Sequence, residues 1–245
     1  EWISYLCETT TLVHNTLLSH PEAGDIINGR PVKPHSKRYM AFVYSGDKNV
    51  RCGGILIRED YVLTAAHCPN KRVILGAHDV TLREKSMQYR DVCNAIPHPG
   101  YNGTIMHDIM LLKLEKKVLK NKYINTWPIG ASSGKVKPGI ICSVAGWGET
   151  NGYNSELSPV LREVNLTVVS NEACSAAHPT ARDKNVICAG TKNESTGKGD
   201  SGGPLFCGQK LSGIVLGGKN PSLFTDVSLY RGWIKSTMKK KKCKH

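Results

Sequence analysis

Ten apolar runs of three to eight residues follow one another along the chain, at 40–44, 54–57, 61–65, 72–75, 109–114, 140–145, 162–169, 204–206, 211–216 and 222–227. Each is closed by turn residues, as in the Gly-rich and Asn-rich stretch 148–152. Runs this short are strands rather than helices, and many of them in succession specify an all-β sandwich or barrel. Helical spacing emerges only at the end, where Tyr230, Trp233, Ile234 and Met238 make an i, i+3, i+4, i+8 stripe. That stripe predicts a C-terminal helix over about 230–242.

All-β domains often run to about 200–250 residues, so the 245 residues here are consistent with one such domain. No internal repeat or linker divides residues 26–245. No stretch approaches the roughly 18 apolar residues of a membrane helix. Residues 1–25 differ: they hold Glu1, Glu8, Glu22 and Asp25 and no Lys or Arg. They lack the basic start, continuous apolar segment and small-residue cleavage site of a secretory signal, and read as a pro-segment or precursor remnant. The remaining 220 residues carry 33 Lys and Arg against 16 acids, a net charge of +17. Such a domain seeks polyanions. A run of Lys239, Lys240, Lys241, Lys242 and Lys244 closes it, either a solvated terminus or a docking tail.

The nine cysteines, at 7, 52, 68, 93, 142, 174, 188, 207 and 243, show no Cys-x-x-Cys pair. Scattered cysteines of this kind favour disulfides and an oxidising compartment over a metal site. Their odd number leaves at least one unpaired within the chain.

Three strings carry the chemistry. Tyr61-Val-Leu-Thr-Ala-Ala-His67-Cys68 sets a histidine just after a strand, and His107-Asp108-Ile-Met-Leu-Leu sets an acid at the head of another. Each alone is weak. The third, Gly199-Asp200-Ser201-Gly202-Gly203-Pro204, is sharp. Glycines around a serine make a tight loop whose N–H groups can converge on an oxyanion, as acyl transfer through a serine requires.

With His67, Asp108 and Ser201 in that order, the sequence resembles the trypsin and chymotrypsin family of serine endopeptidases over nearly all of residues 26–245. Ile26-Ile-Asn-Gly29, Cys52-Gly-Gly54 and Ala145-Gly-Trp-Gly148 look like further family signatures, and Pro34-His-Ser-Lys-Arg-Tyr-Met-Ala41 looks like the granzyme and mast-cell chymase branch. The resemblance implies two six-stranded antiparallel β-barrels with a C-terminal helix and the site in the cleft between them. It implies His67 as general base, Asp108 as its orienting acid and Ser201 as nucleophile, with the N–H groups of Gly199 and Ser201 as oxyanion hole. Asp200 would pair with the free α-amino group of Ile26 once the preceding segment is removed, so an uncleaved chain should be nearly inactive. The residues before the cut are Gly24 and Asp25, which argues against tryptic activation.

The resemblance also assigns disulfides Cys52–Cys68, Cys142–Cys207 and Cys174–Cys188, and omits the one many relatives place at the primary pocket. Cys7, Cys93 and Cys243 remain, leaving open a bridge between two molecules or a free thiol. It places Ser195 at the base of the primary pocket, flanked by Thr196, with Leu216, Gly218 and Ser222 on its walls. A pocket without charge selects Phe, Tyr, Leu or Met before the scissile bond. Ser222 narrows the space and leaves a hydroxyl to satisfy. Where relatives carry Ser-aromatic-Gly, this chain has Leu216-Gly217-Gly218, and Leu216 cannot give Asp108 the hydrogen bond that serine supplies.

The expectation is a secreted or granule-stored serine endopeptidase, monomeric, acting on proteins or peptides. Sulfated proteoglycan or heparin and serpin-type inhibitors are its expected partners, and it needs no cofactor or metal. The alternative is a catalytically weakened homologue acting as a polyanion-binding or antimicrobial protein. A nucleic-acid role rests on charge alone. Asn102-Gly-Thr104, Asn165-Leu-Thr167 and Asn193-Glu-Ser195 fit the glycosylation pattern, the last lying at the pocket by resemblance.

Overall fold

The computed structural model describes residues 29–130, 134–150, 157–181, 185–191, 193–218, 220–240 and 243. The expected pro-segment, Cys7 and the new N-terminus Ile26 lie outside these residues, as do Lys241, Lys242 and Lys244.

Six strands close into a barrel: β2 (Met40–Ser45), β3 (Asp47–Arg58), β4 (Tyr61–Thr64), β5 (Arg72–Leu75), β6 (Gln88–Pro97) and β7 (Met110–Leu114), in the order β2-β3-β4-β7-β6-β5. Its filling comes from alternate inward residues, among them Ile55, Leu63, Leu75, Leu111 and Ile124, all fully buried. A second, seven-stranded antiparallel sheet runs β1-β9-β8-β11-β12-β13-β10. Its strands are β1 (Arg30–Pro31), β8 (Ile141–Gly146), β9 (Arg162–Thr167), β10 (Val186–Ala189), β11 (Pro204–Cys207), β12 (Lys210–Gly217) and β13 (Ser222–Asp226). It curls over Val144, Leu166, Leu205, Val215 and Phe224. This is the second of the two barrels expected: it curls until β10 meets the end of β9, through the Val168–Ala189 bridge and the Val169 N–H on the Cys188 carbonyl at 2.9 Å, with the two-residue β1 added at one edge.

Three elements carry too little apolar signal to read from sequence. β6 alternates half-buried and exposed residues, and β1 is exposed throughout. Helix α1 (Asn171–Ala177) buries Cys174 and is started by Ser170, whose side chain accepts the Ala173 N–H at 3.2 Å. At the C-terminus a 3-10 turn, Val227–Tyr230, leads into α2 (Arg231–Lys240), so the regular helix begins one residue later than its stripe. Ile234 is fully buried in the first barrel's core, and Trp233 and Met238 pack beside it.

Disulfides join Cys52 to Cys68, Cys142 to Cys207 and Cys174 to Cys188. A fourth joins Cys93 of β6 to Cys243, so neither cysteine is left for a bridge between two molecules. It ties the segment after α2 to the first barrel across 150 residues of sequence.

Candidate active site

Strand register brings the first two residues together. β4 pairs antiparallel with β7, with Thr64 opposite Met110. The turn leaving β4 carries His67 and the turn entering β7 carries Asp108, so both emerge at the same end of the barrel. The Asp108 carboxylate is buried and meets His67 twice, at Nδ1 (2.6 Å) and at the backbone N–H (3.0 Å). A carboxylate gripping both ring and backbone fixes the imidazole plane and keeps Nε2 directed away from it. The Asp108 carbonyl in turn accepts the Thr225 hydroxyl at 2.9 Å, tying the turn to β13 of the other sheet.

The serine loop is seated against the same turn. The Gly53 N–H donates to the Ser201 carbonyl at 2.8 Å, and the Thr64 hydroxyl donates to the Gly53 carbonyl at 2.8 Å. Gly202 has φ +79°, and a Cβ there would collide with Thr64 Oγ1 and the Gly53 carbonyl. A Cβ on Gly53 would meet Gly203 Cα at 2.9 Å. These glycines are therefore demanded by contact as well as by turn geometry. Ser201 thus lies beside the Cys52–Cys68 bridge that adjoins His67, and it is partly exposed. Among the described residues the N–H groups of Gly199 and Ser201 donate to nothing, leaving both free for an incoming acceptor.

Asp200, next to the serine, is fully buried. Its carboxylate takes the N–H groups of Gly148 and Gly197, each at 2.8 Å. Burial pushes its pKa up to about 6, against the pull of those two N–H groups and the more distant Arg51. A Cβ on Gly146 or Gly148 would overlap the carboxylate, which explains the Gly-Trp-Gly string by packing. Among the described residues Asp200 makes no salt bridge; Ile26 lies outside them.

At the expected primary pocket, Ser195, Thr196 and Ser222 are buried together. Ser222 Oγ accepts the Thr196 N–H at 2.9 Å and lies 3.0 Å from Thr196 Oγ1. The hydroxyl left to satisfy is therefore not that of Ser222, as sequence suggested, but that of Ser195, whose Oγ is buried with no partner among the described residues. Gly218 has φ +83° and abuts the His178 ring. His178 Nε2 in turn meets the Pro221 carbonyl at 2.7 Å. Nothing in the sequence singles out this prop, because 43 residues separate the partners. Leu216 is the unpaired residue of a bulge in β12 and packs against the buried cluster of Cys174, Ala181, Cys188 and Leu223. It gives Asp108 no hydrogen bond.

Among the described residues one group, Cys52, His67 and Cys68, has the spacing of metal ligands, but its two sulfurs are bonded to each other and offer no thiolate. Asn102, Asn165 and Asn193 are exposed, whereas Ser195 of the third glycosylation pattern is buried.

The family model described as Trypsin matches residues 26–234. Granzyme B of Rattus norvegicus is 46% identical over 244 residues, covering 94% of this chain and 97% of that protein. Cathepsin G of Homo sapiens is 42% identical, covering 89% of each. A solved structure described as "Structure of GrC" superposes with a TM-score of 0.81 at 39% identity, covering 86% of this chain and 98% of the other. A match this long, with His67 and Asp108 clasped beside a glycine-cradled serine, makes the chain a member of the trypsin family of serine endopeptidases, among the granzymes, cathepsin G and mast cell proteases.

Proposed function

We propose that the protein cleaves peptide bonds after large uncharged side chains through an acyl-enzyme on Ser201. The observation that carries the reading is the double hydrogen bond between Asp108 and His67 beside the seated Ser201 loop. His67 Nε2 takes the Ser201 proton as Oγ attacks the carbonyl carbon. The developing oxyanion turns to the free N–H groups of Gly199 and Ser201, each such donor being worth about 10²–10³ in rate. The imidazolium, steadied by Asp108, returns the proton to the leaving amine, and water then releases the acid by the same steps in reverse.

Substrate preference follows from the pocket. Ser195, Thr196 and Ser222 carry no charge, Gly218 leaves one wall low, and Thr196 already occupies the Ser222 oxygen. The Ser195 hydroxyl remains to meet a side-chain tip, which suits Tyr and Met as well as Phe and Leu. Activation is assigned to a free Ile26 amino group reaching Asp200, whose buried carboxylate calls for a cation. The +17 domain suits storage on sulfated proteoglycan, the disulfides suit a secreted or granule location, and serpin-type inhibitors are expected antagonists.

Cleavage of a positional peptide library by protein beginning at Ile26, with Ser201→Ala as blank, tests the reading. Cuts after Phe, Tyr, Leu or Met that vanish in the blank are expected, and cuts after Arg or Asp would overturn the pocket. One observation favours a second reading, a weakened enzyme with a binding role: among the described residues no hydroxyl bonds the Asp108 carboxylate, whose partners are the His67 ring and backbone N–H. No cleavage by the folded protein, with recovery in Leu216→Ser, would select that reading.

A further inference from the structure

Asp108 is aimed by the residue before it. His107 adopts φ +55°, a left-handed conformation uncommon for a residue with a side chain, and Ile109 N–H closes the turn onto the His107 carbonyl at 2.8 Å. Such a conformation persists only where the surroundings impose it. Here the His107 ring is stacked on His98, with centroids 4.7 Å apart and planes 21° from parallel. Tyr230 stands edge-on to both rings, and Trp233 of α2 stands edge-on to His98. Gly100 passes so close that a Cβ there would come 2.7 Å from His107 Cδ2.

A backbone hydrogen bond fixes the protonation of His98. The Gly100 N–H donates to His98 Nδ1 at 3.1 Å, and a backbone N–H can only donate. His107 Nδ1 lies 3.1 Å from the Tyr230 hydroxyl. The same hydroxyl bonds to the Asn185 side chain. His98 Nδ1 therefore accepts from Gly100, and that ring is neutral with the proton on Nε2. A further proton on His98 would displace the Gly100 N–H already in place and set a charge against the stacked His107 ring.

We propose that His98, His107 and Tyr230 are positioning residues for the reaction: the stacked pair holds the turn that aims Asp108 at His67 and releases it on taking up a proton. The assignment rests on the peptidase reading only for its catalytic consequence. The titratable groups facing the stack are Tyr101, whose N–H donates to the His98 carbonyl, Tyr230 and Asp108, with Asp226 behind Tyr230. None of these can replace the lost Nδ1 bond. Burial, and secondarily His107, hold the His98 pKa below the ordinary 6.5, so His98 is neutral at neutral pH.

The proposal is tested by the acid limb of log kcat/KM against pH for the protein beginning at Ile26. Protonation of His67 alone gives a slope of one. A second proton on the stack steepens the limb to two below its own titration, and the double variant His98→Gln/His107→Asn restores one throughout, whatever its absolute rate. Tyr230→Phe, which removes the hydroxyl bonded to His107 Nδ1, shifts the pH of the second break. A wild-type slope of one over the whole limb, or a slope of two persisting in the double variant, would overturn the proposal. Histidine-ring NMR of the Ser201→Ala protein reads the stack without any turnover. An Nε2-H tautomer on His98 that titrates below pH 6.5 is expected, and an Nδ1-H tautomer on that ring contradicts the proposal. If the protein were inactive the peptidase reading would fall, while the NMR titration would still decide the stack.

Discussion

Asp200 is the residue at which burial and charge are most at odds. The folded state holds its proton more tightly than an unfolded chain does, with a pKa of about 6 against 3.8, so ionising it costs stability as pH rises through that window. A cation delivered beside it reverses the sign. The unfolding midpoint of protein beginning at Ile26 should therefore rise relative to the full chain between pH 4 and 7, and the gap should close in Asp200→Asn. Paired thermal melts across that range would show it, and a gap independent of pH would remove Ile26 as the partner. The sequence grouped Ser195, Thr196 and Ser222, which the structure buries together, but which of their hydroxyls is free was not legible. That is decided by hydrogen bonds across 26 residues of chain. His178 was invisible for the same reason, since its contact with Pro221 exists only after β13 and α1 are in place.

At the scale of elements, strands with continuous burial were the readable ones: β5 lies where its apolar run predicts, and β2, β4 and β13 within a residue or so. β6 was missed because one edge-on face stays wet, so its sequence alternates without an apolar run. β10, at Val186–Ala189, is only four residues long and lies between turns. The glycine-rich serine loop was legible because contact forbids any side chain there, at Gly53 and Gly202 above all. The Cys93–Cys243 bridge was not, since nothing in spacing pairs cysteines 150 residues apart. Closing so long a loop contributes roughly 2–5 kcal/mol by constraining the unfolded chain. Cys93→Ala/Cys243→Ala should lower stability by that amount in denaturant melts, with the protein remaining monomeric before and after. A free thiol at Cys93 or Cys243 in the wild type, read by alkylation and peptide mapping, would contradict the intramolecular bridge.

For the whole molecule, the two sheets divide the work: the first barrel supplies His67 and Asp108, and the second supplies the serine loop and the pocket. The joint between them is polar and specific, through Gly53 to Ser201 and Thr225 to Asp108. The charge surplus belongs to the same scale, because screening acts on the sum of many exposed cations rather than on one. Retention on immobilised heparin should fall steeply with salt, and elution at low salt would exclude proteoglycan storage. The central claim is that these parts assemble a serine nucleophile once Ile26 is free. A fluorophosphonate probe applied to protein beginning at Ile26 tests it most directly. The account predicts one label per molecule, on Ser201, lost in His67→Ala and weak in the full chain. No labelling of the folded, Ile26-started protein, or a label elsewhere than Ser201, would contradict it.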